Sequence, residues 1–406
     1  MTDIEQGLAG AWGEAVIDLD AIAANTAALA DRAGGAELMA VVKADAYGHG
    51  LVPSARAALA GGARWLGVAQ LDEAFALRSA GIDAPLLAWL FPPGADLAAA
   101  LTQRVTIGVS SPWALDEVAA AAVQTGQVAD IHLKVDTGLS RNGVAVDDWP
   151  ALAAAAAAYE SDGLLSVGGI FSHLALADDP THPTVDAQAG VFAHALEIGQ
   201  EAGLRPAYRH LANSAATLTR SDLHFDLVRP GLAVYGLSPV PDLLSPAAAG
   251  LVPAMTLRGR LALVKRIPAG SGVSYGHEYV TERDTVVALV PLGYADGLPR
   301  SAGGRGPVLV RTASGDRRVA VAGRVCMDQV VVDLGPDAVA AAGDEVILWG
   351  PGTGGEPTAQ EWAQAAGTIS YEIVTRLGVR LPRRHIGTAG RVNLAQQADL
   401  LLADLL

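Results

Sequence analysis

The stretch ELMAVVKADAYGHG, Glu37 to Gly50, is an apolar run of strand length. It ends on one lysine, Lys43, and gives way to small residues interleaved with Tyr47 and His49. Between about Ala36 and Leu237 the same cycle returns: a short apolar run, then a longer alanine-rich segment with helical spacing. The runs are ELMAVVK, RWLGVA, PLLAWL, VTIGVS, ADIHLKVD, LSVGGIFSH, YRHLAN and FDLVRPG. Segments such as LDEAFALRSAG and DAQAGVFAHALEIGQEAG lie between them. Short buried strands alternating with helices predict a parallel sheet. Eight such units fit a closed (β/α)8 TIM-type barrel better than an open doubly wound sheet.

Beyond a Pro-rich linker near Pro239 to Pro253 the texture changes. TVVALVPLGYA, GPVLVRT, RRVAVAGRVCMDQVVVDL and DEVILWG alternate with Gly and Pro turns, as an all-β domain does. The chain is therefore expected to be α/β: a barrel over 12–245, a C-terminal all-β domain over 246–390 and a tail over 391–406. GEAVIDLDAIAANTAAL reads as a strand and a helix outside the eight units, with its strand, near 14–20, joining the second domain. LAQQADLLLADLL reads as a terminal helix.

The chain has 406 residues, 51% hydrophobic, with a net charge of −15. That charge and the lack of a basic stripe argue against nucleic acid and anionic lipid as partners. No apolar run reaches membrane-spanning length, and MTDIEQG lacks the features of a signal peptide. A single cysteine, Cys326, suits a reducing, cytoplasmic setting. No metal site is expected.

A barrel carries its chemistry at the C-terminal ends of its strands. Lys43 ends the first strand; Lys134 and Asp136 end the fifth, with Arg141 just beyond. His173 ends the sixth, Asn213 and Ser214 follow the seventh, and Arg229 lies in the eighth. Each alone has an ordinary structural explanation; together they make a reactive rim. HLANSAATL offers a serine where a short helix begins, a place that favours anions, and RPGLAVYG offers Gly231, which lets backbone approach a ligand. A phosphate at one end and an electrophile within reach of a lysine describe pyridoxal 5'-phosphate.

VVKADAYGHG, LKVDTGLSRNG, GGIFSHLA, HLANSAA, VRPGLAVYG, GSGVSYGHEY, PLGYADGLPR, GRVCMDQ and TISYEIVTRL occur in that order. In these the chain resembles the alanine racemases, the barrel-fold branch of the pyridoxal-phosphate enzymes, from AVIDLDAI to about Arg384. The resemblance implies that Lys43 carries the cofactor and serves as base on one face of the substrate. Tyr275 would serve the other face from the partner subunit of a homodimer. Arg141 would hold the cofactor's phenolic oxygen and the substrate carboxylate. Tyr47, Ser214, Tyr371 and the backbone of Gly231 and Leu232 would hold the phosphate; His173 and Asn213 would complete the cofactor site. Met327 would offer its N–H to the substrate carboxylate, Tyr294 would line the entrance, and Lys134 would be the lysine that many members carbamylate. The chain departs from the usual family pattern at Asp45, Leu139 and Asn142, where asparagine, methionine and leucine are commoner.

Racemisation removes a proton from one face of the α-carbon and returns one to the other, so two opposed bases, Lys43 and Tyr275, suit it. A phenol has an ordinary pKa of ~10, and lowering it by two or three units requires about 3–4 kcal/mol of preferential phenolate stabilisation. His173 with Arg229 behind it is the expected relay. Arg229 would face the pyridine nitrogen; a guanidinium only donates, so that nitrogen must accept. This leaves the ring a weaker electron sink and disfavours transamination. The expected reaction interconverts L- and D-alanine, with D-alanine destined for cell-wall peptide. The alternatives are an amino-acid decarboxylase of the same build and a non-catalytic pyridoxal-phosphate binding protein.

Overall fold

The computed structural model describes residues 12–390, so the expected terminal helix lies outside the described residues. Contacts divide the chain into two compact units. One takes Ile22–Ala46 and Leu51–Leu251; the other takes Tyr47–Gly50 and Val252–Thr388 with residues 12–21.

In the chain, β1 (Gly13–Asp18) comes first, and the barrel strands follow. These are β2 (Glu37–Val41), β3 (Trp65–Val68), β4 (Leu86–Ala88), β5 (Thr106–Val109), β6 (Ala129–Lys134), β7 (Leu165–Phe171), β8 (Tyr208–His210) and β9 (Leu227–Val228). They pair in parallel in the order β8-β7-β6-β5-β4-β3-β2-β9. Between β8 and β9 the ring closes through two backbone bonds, Asp226 N–H to the Arg209 carbonyl (3.1 Å) and Arg229 N–H to the Ala212 carbonyl (2.9 Å). All eight apolar runs thus carry a strand. The last is only two residues long because Pro230 ends it without an N–H to donate.

Packed side chains fill the barrel. Met39, Trp65, Leu87 and Leu227, from four strands, form a buried cluster against Trp89 and Tyr208. Outside, the helices read as their sequences direct. The helix Pro112–Thr125 opens with proline, whose missing N–H costs nothing there, and stops at Gly126 in the left-handed region.

The other unit holds a six-stranded sheet with β1 as its next-to-last strand. Its strands after β1 are β10 (Met255–Arg260), β15 (Pro307–Thr312), β16 (Gly315–Ala320), β18 (Glu345–Trp349) and β19 (Arg383–Ile386). β1 runs antiparallel to β10 and parallel to β19. Beside this sheet are the three strands β11 (Leu263–Ile267), β14 (Thr285–Val290) and β17 (Val330–Gly335), and the short pair β12 (Gly272–Val273) and β13 (Tyr279–Val280). Glu14 on β1 is buried and bonds Arg258 at 2.7 Å and Arg384 at 3.0 Å, so this buried carboxylate has two cationic partners.

Candidate active site

β2 ends at Val41, and the next turn, Lys43–Gly48, winds the wrong way. Ala44, Asp45, Ala46 and Tyr47 have φ of 55°, 53°, 54° and 55°, a left-handed turn that L-residues enter at about 1–2 kcal/mol each. Glu73 holds it in place. Its Oε1 accepts from Ala44 N–H at 2.6 Å, while Oε2 accepts from Ala69 and Gln70 at 2.9 and 3.1 Å. Asp45 accepts from Leu51 N–H at 2.8 Å, a bond an asparagine oxygen would make as well. Glu73 escaped the sequence reading because an acid in a helix's first turn has an ordinary explanation.

The barrel rim gathers cations. Burial lowers the pKa of Lys43; Arg141 lowers it further, while Glu73 opposes. Lys134 falls to about 8, through burial first and then Arg229 and Arg141. His173 lies well below the ordinary histidine range, again from burial first and then Arg229, Arg141 and the two lysines. Four positive side chains with overlapping fields leave this rim poised for anions.

Arg229 is buried at its centre. Its Nη2 donates to the carbonyls of Ser172 (2.6 Å) and Leu211 (3.2 Å), and its Nη1 to Nδ1 of His210 (2.9 Å). Its guanidinium carbon and Nζ of Lys134 each lie 5.5 Å from the centre of the Phe171 ring. The sequence reading placed His173 before Arg229 as a relay. Among the described residues the histidine hydrogen-bonded to Arg229 is His210, and His173 feels that arginine through its field. His210 escaped notice because it sits inside an apolar run as an ordinary strand residue.

The loops after β8 and β9 meet at Ser214. Its hydroxyl oxygen accepts from the N–H groups of Gly231 (2.8 Å) and Ala233 (3.3 Å), and Leu232 opens the following turn. Asn213 caps the helix Ser214–Thr219 by accepting from Ala216 N–H at 3.1 Å. The loop carrying Arg141 is tied by Asp136, whose Oδ1 accepts from Gly138, Leu139 and Ser140. Arg141 itself is exposed, and the neighbouring Asn142 Oδ1 is buried with no hydrogen-bond partner among the described residues.

In the sheet-rich unit, Tyr275 is 72% exposed, Met327 53% and Tyr294 38%. Backbone bonds bring the last two together: Tyr294 N–H to the Cys326 carbonyl (3.0 Å) and Ala295 N–H to the Met327 carbonyl (2.9 Å). Ser274, just before Tyr275, has φ 61° and ψ −173°, a region that glycine favours. Tyr371 lies in the helix Ser370–Thr375, its ring centre 6.2 Å from that of Tyr47, whose pKa burial raises. Among the described residues, no group of three or more His, Cys, Asp or Glu side chains is placed to hold a metal. No described helix is long and apolar enough to cross a membrane.

Two family models match the chain: "Alanine racemase, N-terminal domain" over residues 17–239 and "Alanine racemase, C-terminal domain" over 254–385. The alanine racemase of Frankia casuarinae is 59% identical over 372 residues, 92% of this chain and 96% of its own. That of Thermobifida fusca is 59% identical over 376 residues, 93% of this chain and 98% of its own. The crystal structure of alanine racemase from D-cycloserine-producing Streptomyces lavendulae has a TM-score of 0.91 at 54% identity, covering 94% of this chain and 98% of that one. The lysine turn, the cation-rich rim and these matches over nearly the whole length lead to one conclusion: the chain belongs to the alanine racemase family.

Proposed function

We propose that this chain interconverts L- and D-alanine, using pyridoxal 5'-phosphate, as a cytoplasmic homodimer that supplies D-alanine for cell-wall peptide. The reaction follows from high identity to proteins named alanine racemase along more than nine-tenths of the chain. The same likeness disfavours the decarboxylase and the non-catalytic binding protein.

The residues present suit the cofactor. Its anionic groups match a rim where Lys43, Lys134, Arg141 and Arg229 already oppose one another. When bound, the cofactor supplies an aldehyde for amines and a ring that draws charge from the α-carbon. Lys43 would hold it, an attachment that a lowered amine pKa favours. Ser214, the N–H groups of Gly231 and Leu232, Tyr47 and Tyr371 would bind its phosphate. Arg229, able only to donate, would face the ring nitrogen and keep it unprotonated. His173 and Asn213 would complete the enclosure, and Arg141 would bind the phenolic oxygen and the substrate carboxylate.

At the α-carbon, Lys43 would hold or accept the proton on one face. The partner subunit's Tyr275 would do so on the other, with the Met327 N–H on the substrate carboxylate and Tyr294 at the entrance. The exposure of Tyr275 and Met327 within one chain supports completion by a second. Lys134, with its pKa near 8, is reactive enough for carbamylation, which would place a negative charge among the cations.

The test is D-alanine formation from L-alanine by chiral assay, with and without added pyridoxal phosphate. Carbon dioxide release, or bound cofactor without turnover, would overturn the reading. Mixing inactive Lys43→Ala and Tyr275→Phe chains tests the shared site: activity should partly return, and its absence despite subunit exchange refutes sharing.

A further inference from the structure

Inside the barrel, behind Arg229, lie two buried histidines, one of which contacts that arginine. Nδ1 of His210 takes the Arg229 bond at 2.9 Å, and its Nε2 lies 2.9 Å from Nδ1 of His132. A guanidinium can only donate, so His210 Nδ1 must be bare and its proton must sit on Nε2. That proton can be given only to a bare Nδ1 on His132, which places the second proton on His132 Nε2. One permanent cation thus fixes two tautomers in series, both rings neutral, as burial and the arginine's charge favour.

The fold makes special room for the second ring. β6 and β7 slip register between Ile131 and His132. A Cβ on the facing Gly169 would lie 2.6 Å from His132 Nδ1 and 2.7 Å from its Cγ. His210 stacks on Phe171 at 4.8 Å and 4°, the same ring that lies beneath Arg229 and Lys134. Trp65 and Tyr208 close around His132.

We propose that His132 is a positioning residue: by accepting from His210 it locks the His210 tautomer and so aims the Arg229 guanidinium. It would act through His210 and Arg229, from its buried place inside the barrel. The inference rests on the reading that Arg229 faces the ring nitrogen.

Leucine and asparagine are close in size, but only asparagine keeps an acceptor near the place of Nδ1, so His132→Leu and His132→Asn isolate the bond. In the full chain carrying 15N-labelled histidine, with and without pyridoxal phosphate, both rings should show a bare Nδ1 and protonated Nε2, unchanged from pH 8 to pH 5. In His132→Leu the His210 signals should shift, and cofactor loss by transamination per racemisation event should rise about tenfold or more. His132→Asn should restore both toward the parent. A protonated Nδ1 on His210, or equal partition in the leucine and asparagine variants, overturns the proposal. Arg229→Glu separates the two readings. If it raises transamination while His132→Leu does not, the His132 inference fails alone; if it does not, the reading of Arg229 fails.

Discussion

The hydroxyl of Ser274 donates to the carbonyl of Arg324 at 3.0 Å, and its oxygen lies 3.2 Å from the thiol of Cys326. These contacts tie the turn bearing Tyr275 to the segment bearing Met327. They also hold Ser274 at a backbone conformation that costs about 1–3 kcal/mol for a residue with a side chain.

Stability and activity should therefore part at this serine. Ser274→Gly removes the strain and the tether together: its thermal midpoint should match or exceed the parent's while kcat falls about tenfold. Ser274→Ala keeps the strain and loses the bond, so its midpoint should drop, by about 1 kcal/mol in unfolding free energy. Calorimetry beside steady-state kinetics checks both; a glycine variant with full kcat would show that the tether does not serve Tyr275.

Glu73 should matter to Lys43 without touching substrate. Glu73→Ala leaves the N–H groups of Ala44, Ala69 and Gln70 without their acceptor, a loss of about 1–3 kcal/mol in stability. Removing its charge also lowers the Lys43 pKa further, since Glu73 is the group that raises it. Urea unfolding measures the first effect. The pH dependence of cofactor attachment, followed by absorbance, measures the second, and a shift to higher pH would contradict it.

Carbon dioxide adds to a neutral amine, so carbamylation of Lys134 should grow as pH rises through about 8, the value to which burial and the arginines bring it. With 13C-bicarbonate, the carbamate signal should be weak at pH 6.5 and strong at pH 9, and absent in Lys134→Ala. A signal that persists in that variant would assign the modification elsewhere.

Gly169→Ala should cost about 1–3 kcal/mol, because its new methyl meets the His132 ring at 2.6 Å in a packed interior. Combining it with His132→Leu should recover part of that loss. Simple additivity in a double-mutant cycle would show that the two positions are independent.

The barrel was legible because its strands are continuous apolar runs and the helices between them keep helical spacing. Lys43, Arg141, His173 and Arg229 stood out as polar residues ending or following such runs. Glu73 and His210 did not, because their partners lie far along the chain: Ala44 is 29 residues from Glu73, and Arg229 is 19 from His210. Nor could the hand of the turn after Lys43 be read. Apart from Asp45, its residues have no local reason to wind leftward, and the carboxylate that anchors the Ala44 N–H lies 29 residues away.

That turn has a stereochemical corollary. A mirror-image residue prefers positive φ for the same steric reason that an L-residue avoids it. At Ala44 and Ala46, with φ of 55° and 54°, the building block that sits there most comfortably is D-alanine. Semisynthetic chains carrying it at those two places should be more heat-resistant than the natural ones, so the turn that follows Lys43 is itself better suited to the D enantiomer.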